Sequence, residues 1–124
     1  MNREIKFRIW DIENKEMLKV QELDFEPTFY GGRIAIRPDQ HNDYFDTEDM
    51  ILMQYTGLDD KNGKEIYEGD IVKYENMTGK IMFFNGSFIM SNFEETEEWE
   101  LGVINEELEI MGNIYDNPEL LGGE

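Results

Sequence analysis

The stretch YTGLDDKNGKEIYEGDIVKY, Tyr55–Tyr74, contains the strongest fold signals in the chain. Its three glycines separate short runs that combine tyrosines and aliphatic residues with charged residues. Asn62-Gly63 is typical of the type I′ turn of a β-hairpin, because both central residues of that turn need a positive φ. We therefore predict that Gln54-Tyr55 and Ile66-Tyr67 pair as antiparallel strands on either side of this turn.

A second tight turn is predicted at Glu68-Gly69-Asp70. Gly69 can adopt a positive φ at little cost, and the carboxylate of Asp70 can accept hydrogen bonds from nearby backbone amides. The strand Ile71–Tyr74 then leaves in a new direction. A Gly-Asp pair before an apolar strand favours the entry to an SH3-like barrel.

The segment DDKNG, residues 59–63, also resembles the start of an EF-hand calcium loop. With Gly63 at the sixth position of such a loop, Leu58 takes the first position and Gly69 takes the twelfth. Both of these positions require oxygen ligands, and the twelfth requires a bidentate glutamate. The spacing therefore argues against calcium, and we predict neither a metal site nor a cofactor.

Short strands separated by turns are predicted along the rest of the chain. The alternation of Ile5, Phe7 and Ile9 with charged residues predicts a strand that pairs with residues 17–23 in an N-terminal hairpin. Asn85-Gly86 is a second type I′ pair between two apolar runs. Further strands are predicted at residues 33–37, 50–56, 79–84, 87–91, 99–103 and 108–115, and one helical turn at 117–121.

These patterns predict an all-β fold with a minor helix, in a single domain over residues 1–124. The length of 124 residues suits one hydrophobic core. We expect an N-terminal hairpin over residues 1–25 and an irregular connection over 26–49. A small SH3-like β-barrel follows over 50–115, with the hairpin packed on it, and a C-terminal turn and tail over 116–124.

The formal net charge of -18 is unevenly distributed. Basic and acidic side chains balance over residues 1–37, so the whole excess falls in residues 38–124, and no lysine or arginine follows Lys80. Such a field repels phosphate backbones, since nucleic-acid affinity depends on cationic side chains. We therefore expect no direct binding of nucleic acid. A basic protein partner and a merely solubilising acidic surface are the two interpretations left open.

Four aromatic residues are candidates for a binding surface: Trp10, Tyr55, Tyr67 and Tyr74. On one face of a barrel they would line a ligand groove. The alternative is an aromatic cluster that packs between strands.

The acidic run EETEEWE, Glu94–Glu100, is the second candidate surface. Its residues Glu94, Glu95, Glu97 and Glu98 could bind a cation or a basic partner. Alternatively, the run is an exposed strand edge with Trp99 anchored in the core, where its charges keep the edge from pairing with another chain.

Catalytic groups are not indicated. Cysteine is absent, which excludes disulfides and thiolate nucleophiles, and the single histidine, His41, lies in a polar loop with no partner suggested nearby. Neither a phosphate-binding loop nor a nucleophile elbow is present. The 29 acids guarantee chance pairs, so their number does not indicate a glycosidase dyad. We predict a protein that is not an enzyme, with a metal-dependent hydrolase as the alternative from another class.

Membrane association is not expected either. Apolar runs such as Ile81–Phe84 are much shorter than the roughly 20 residues of a membrane-spanning helix. The first residues of the chain alternate in polarity, so we expect no signal peptide. These features predict a soluble protein of the cytosol.

Three segments carry a family resemblance: REIKFRIWD (Arg3–Asp11), QYTGLDDKNGKEIYEGDIV (Gln54–Val72) and GNIYDNPELL (Gly112–Leu121). Together they resemble the YopX family of phage and prophage proteins. The segments lie at the start, middle and end of the chain, and the order of glycines, tyrosines and acids in the central one is specific. The resemblance implies a small β-rich protein that is encoded by phages or integrated elements and acts in the bacterial cytosol. It supplies no enzymatic activity and no catalytic residues to carry over.

Together these observations predict a protein-interaction module that presents an acidic face or a barrel groove to a host or phage protein. Self-association into a homo-oligomer is also expected, because small β domains often cover strand edges in that way. The alternative is a DNA-mimicking inhibitor that occupies a host nucleic-acid-binding protein.

Overall fold

The computed structural model describes residues 4–27 and 30–122. Within these residues the strands are β1 (Phe7–Asp11), β2 (Glu16–Asp24), β3 (Ala35–Pro38), β4 (Phe45–Asp46), β5 (Met50–Asp59), β6 (Glu65–Tyr67), β7 (Asp70–Tyr74), β8 (Met77–Phe84), β9 (Ser87–Asn92), β10 (Glu98–Glu100) and β11 (Leu108–Asn113). One short helix, α1, spans Leu101–Ile104, and 3-10 turns lie at Tyr30–Gly32, Asn105–Glu107 and Pro118–Gly122. The prediction of an all-β fold with a minor helix is confirmed. Residues 1–3 of the predicted hairpin and residues 123–124 of the predicted tail lie outside the described residues.

The chain divides into two compact units, Lys6–Gln54 and Tyr55–Glu124, the second of which also includes Met1–Ile5. The boundary falls within β5. The first half of that strand pairs with β1, and its second half pairs with β6. The single-domain prediction for residues 1–124 stays a prediction.

In the unit formed by residues 6–54, the antiparallel strand order is β4-β3-β2-β1-β5. The predicted N-terminal hairpin is present, with β1 and β2 in register from Arg8↔Lys19 to Asp11↔Glu16. Asp11 closes its turn, since the side-chain Oδ1 accepts hydrogen bonds from the backbone N–H groups of Glu13 and Asn14. A buried hydrophobic cluster in this unit consists of Ile9, Ile36 and Met50.

In the unit that begins at residue 55, the larger sheet has the antiparallel order β10-β9-β8-β7-β11. Asn85-Gly86 joins β8 to β9, and its φ angles of 52° and 84° are the two positive values that a type I′ turn requires. In the part of the chain that the structure describes, this strand order has two ends, β10 and β11. The predicted SH3-like closure of the sheet stays a prediction.

The predicted strand at residues 99–103 is wrong beyond Glu100, where β10 ends and α1 begins. The reason lies in the positions of Leu101 and Ile104, which are both buried in the core. Residues three apart point to opposite faces of a strand but to the same face of a helix. One helical turn therefore buries both side chains and leaves Gly102 and Val103 exposed. They belong to the core cluster of this unit, which consists of Ile66, Val72, Ile81, Met90, Leu101, Ile104 and Leu108.

Candidate functional site

The turn at Asn62-Gly63 is organised by the carboxylate of Asp60. Its Oδ1 accepts hydrogen bonds from the backbone N–H groups of Asn62 (2.8 Å) and Lys64 (2.9 Å), and Gly63 has a φ of 80°. Its Oδ2 accepts the backbone N–H of Ile110 in β11 at 3.0 Å. One side chain thus closes the hairpin between β5 and β6 and ties it to the edge of the larger sheet.

The carboxylate of Asp60 is only 5% exposed. Burial raises its pKa, but the hydrogen bonds from Ile110, Lys64 and Asn62, with the positive charge of Lys64, outweigh burial and hold the pKa below its ordinary value. Both oxygens accept bonds from the backbone of the fold. The segment at residues 59–63, which resembles the start of a calcium loop, therefore has a structural role in this turn.

The second turn, at Glu68-Gly69-Asp70, is stabilised by three hydrogen bonds. Gly69 is buried with a φ of 87°. Its N–H donates to the carbonyl of Ile81 and its carbonyl accepts the N–H of Ile114, both at 2.9 Å. The side chain of Asp70 accepts the backbone N–H of Tyr67 at 2.8 Å. These bonds position the start of β7, the strand that ends at the groove described below.

The four candidate aromatic residues have different surroundings in the structure. Tyr55 and Tyr67 face each other across β5 and β6, with ring centroids 5.5 Å apart, and the hydroxyl of Tyr55 donates to Asp59 at 2.7 Å. Trp10 belongs to the other unit, where it is buried in β1. Tyr74 lies at the end of β7 with a different aromatic partner, Trp99.

An open groove with a volume of about 790 Å³ lies beside the turn between β7 and β8. Its apolar lining is Tyr74, Met77, Phe93, Trp99 and Leu120. Its polar lining is Glu75, Asn76, Thr78, Asn92 and Glu94. Among the described residues that line it, the charged ones are therefore both acidic.

Tyr74 and Trp99 form a corner in this groove. Their ring centroids are 6.2 Å apart and the ring planes are inclined at 63°. Both side chains are half-buried and pack against the core. Burial raises the pKa of the Tyr74 hydroxyl above its ordinary value, and the negative charges of Glu75 and Glu107 raise it further. The corner is thus an aromatic surface in a negative electrostatic environment.

The candidate acids fall at different places around the loop between β9 and β10. Asn92 shapes this loop, because its side-chain Oδ1 accepts the backbone N–H groups of Thr96 (2.9 Å) and Glu97 (3.0 Å). Glu94 lines the groove, whereas Glu95 forms an ion pair with Lys80 at 2.6 Å. Glu97 is exposed, and the likewise exposed Glu98 begins the edge strand β10. The structure therefore brings two of the candidate residues together at the groove, Tyr74 and Glu94.

Several residues of the groove were not candidates in the sequence. Trp99 was expected only as a core anchor, and it also lines the groove. Glu75 occupies the first position of the turn between the paired residues Tyr74 and Met77. The boundary between β7 and β8 could have indicated this turn in the sequence. Leu120 comes from the C-terminal 3-10 turn, and no local pattern connects it with β7.

We expect Glu75→Gly to raise the free energy of unfolding by about 1 kcal/mol, since a residue with a Cβ atom is strained at positive φ. Glu75 has a φ of 55°, and glycine adopts that conformation at little cost. The measurement is urea denaturation followed by circular dichroism. The matched control is Asn76→Gly at the neighbouring turn position, whose φ is not positive. Asn76→Gly should lower stability through the added freedom of the unfolded chain. Equal changes in unfolding free energy for the two substitutions would show that Glu75 is not strained.

Among the described residues, no helix combines the length and apolar character needed to cross a membrane. Within the same ranges, no group of three or more histidine and acidic side chains is arranged so that it could hold a metal ion.

Comparison with known proteins identifies the family. The profile of the YopX protein family matches residues 6–122. The crystal structure of protein EF1440 from Enterococcus faecalis is similar at 31% sequence identity and a TM-score of 0.64, and the match covers 97% of this chain and 99% of that one. The crystal structure of protein yopX from Bacillus subtilis shares the fold at 21% identity and a TM-score of 0.63, over 94% and 95% of the two chains. No curated protein is similar enough to count as a match. This chain belongs to the YopX family.

Proposed function

We propose that this protein is a non-enzymatic interaction module that binds a basic protein partner through the acidic surface around its groove. The observation that carries the proposal is the charge of the groove, where the charged lining residues among those described, Glu75 and Glu94, are both acidic. An aromatic floor with an acidic rim suits a cationic protein surface better than a nucleic acid or a small anion.

The charge distribution of the second unit supports this proposal. Its basic residues from position 55 onward are Lys61, Lys64, Lys73 and Lys80. Two of them lie near acids of the same unit, Lys80 with Glu95 at 2.6 Å and Lys61 with Glu109 at 3.7 Å. The remaining acidic excess can attract a basic partner and speed its association. Salt screens this electrostatic attraction.

The setting of this interaction is part of the proposal. We place the protein in the bacterial cytosol, encoded by a phage or prophage, with a host or phage protein as its partner. Self-association is proposed as well, and light scattering coupled to size-exclusion chromatography measures it directly. The support for the setting is the kinship with YopX proteins.

We expect the quadruple variant Glu94→Gln, Glu95→Gln, Glu97→Gln and Glu98→Gln to lose binding of the basic partner. The partner is obtained by affinity purification from the host, identified by mass spectrometry, purified and titrated calorimetrically at two salt concentrations. Wild-type affinity should fall as salt rises, and the variant should bind at least about tenfold more weakly with a smaller salt dependence.

The control is a variant with the same change in net charge in the other unit: Glu13→Gln, Glu16→Gln, Glu26→Gln and Asp43→Asn, all at exposed positions. It should bind like the wild type. Equal losses in both variants would mean that only net charge matters, and a partner that is acidic or neutral would contradict the proposal. A nucleic-acid-binding partner that is released by competing DNA would instead favour the DNA-mimicking inhibitor.

A further inference from the structure

We propose that the corner between Tyr74 and Trp99 binds the cationic side chain of an arginine or lysine in a basic segment of the protein partner. This inference rests on the proposed function and names the part of the acidic surface that makes the central contact. It assigns a cation–π site to the groove, with Glu75 and Glu94 as its acidic rim.

The geometry of the two rings supports such a site. Their planes are inclined at 63° with centroids 6.2 Å apart, so the rings meet edge to face rather than in a stack, and each ring keeps a face that the other does not cover. A cation gains energy when it lies over an aromatic face within about 6 Å of the ring centroid, and tryptophan and tyrosine are the better partners. Both rings line the groove and both remain partly accessible.

The charge of the groove favours a cation over an anion as its ligand. Glu75 and Glu94 line it, and Glu75 and Glu107 both act on the Tyr74 hydroxyl. These carboxylates would repel an anion, whereas a cation is attracted both by them and by the negative face of an aromatic ring. The apolar residues Met77, Phe93 and Leu120 of the same groove can pack against the aliphatic stem of an arginine or lysine, which keeps its charged end near water.

The two rings are also held on rigid elements. Trp99 is paired with Met90 across β10 and β9, and Tyr74 is paired with Met77 and Leu108 on its two sides. Both pack against the core of the unit. A site on paired strands loses little side-chain freedom when its ligand binds, which favours affinity.

The test is a nuclear magnetic resonance titration of the ¹⁵N-labelled full chain with short blocked peptides. One peptide alternates arginine with glycine, a second carries lysine, and a third carries citrulline, the neutral analogue of arginine. The chain has two tryptophans, so the indole N–H of Trp10 serves as an internal reference for that of Trp99. We expect the arginine and lysine peptides to shift the Trp99 signal in a saturable way, while citrulline leaves it unchanged.

Variants separate the aromatic contribution from that of charge. Trp99→Leu should weaken binding of the arginine peptide roughly tenfold, whereas Tyr74→Phe, which keeps the aromatic face, should stay within about twofold of the wild type. Trp99 contacts the core, so the exposed residue Glu94 provides a second variant. Glu94→Gln should weaken binding, and the exposed Glu106→Gln, with the same change in net charge outside the groove lining, should not.

The outcomes distinguish this inference from the proposed function. The proposed site would be overturned if the purified basic partner bound without shifting the Trp99 signal. It would also be overturned if Glu94→Gln and Glu106→Gln weakened peptide binding equally. Neither outcome would contradict the proposed function. Shifts by citrulline equal to those by arginine would overturn the requirement for a cation. If the basic partner also fails to bind the wild type, the proposed function falls with the site.

Discussion

Gly79→Ala should destabilise the protein by about 2 kcal/mol or more, because β8 has no room for an added methyl group. Gly79 is buried in the central strand β8, where it is paired with Val72 on one side and with Asn92 on the other. A Cβ atom there would overlap the carbonyl oxygen of Ser91 and lie 3.1 Å from the carbonyl carbon. These are backbone atoms of a paired strand, so they cannot move aside without disturbing the ladder. Urea denaturation at neutral pH measures the loss.

Two other glycines of the chain provide controls. A Cβ atom at Gly102 or at Gly63 would meet no other atom within 4 Å. Gly102→Ala, in an exposed helical position, should be neutral or stabilising by up to about 1 kcal/mol. Gly63→Ala carries only the strain of a φ of 80° and should cost about 1 kcal/mol. A loss at Gly79 no larger than that at Gly63 would show that β8 and β9 adjust freely, contrary to the packing described.

The turn at Asn85-Gly86 and most strands were predictable because their signals are local. The type I′ prediction for Asn62-Gly63 is wrong, since Gly63 has a positive φ and Asn62 does not. Asn85-Gly86 stands between two alternating runs, and the positive φ angles that this pair favours are those observed. The predicted strand Ile71–Tyr74 lies within β7, which begins one residue earlier at Asp70. By contrast, Leu101–Ile104 is an apolar run of four residues, too short to display a helical period. Its helical form follows from the core that both end residues must reach, which is a property of the assembled sheet.

The groove depended on information that no short window of the sequence contains. Tyr74 and Glu94 were candidates for separate reasons, and only the pairing of β7, β8, β9 and β10 brings them to one surface. Leu120 reaches the same groove from the C-terminal turn. Tyr55, Tyr67 and Tyr74 of the central stretch were predicted to share one face of a barrel with Trp10. The structure instead pairs Tyr55 with Tyr67 and gives Tyr74 another partner.

The largest electrostatic effect on stability is expected at Asp60, where Asp60→Ala should cost about 3 kcal/mol. The substitution leaves the N–H groups of Asn62, Lys64 and Ile110 without the acceptor that they share, and the loss of three part-buried bonds to one charged group is costly. The bond to Ile110 spans 50 residues of sequence, so its loss also loosens β11 from the hairpin. Asp60→Asn should cost less, because one amide oxygen remains. Asp43→Ala, at an exposed position, should stay within about 0.5 kcal/mol of the wild type.

The pH dependence provides an independent test of the charged form of Asp60. Its pKa in the folded protein lies below the ordinary value, so its contribution is complete above the unfolded-state pKa, about 3.9. It is lost as the pH falls through the folded-state pKa, where the carboxyl becomes protonated in both states. Acidification also relieves repulsion among the other carboxylates, so the wild-type curve alone cannot isolate this effect. The difference in unfolding free energy between wild type and Asp60→Asn does isolate it. This difference should be constant near neutral pH and shrink below about pH 4. A difference that stays the same down to the acid limit would mean that the three backbone donors gain nothing from the negative charge.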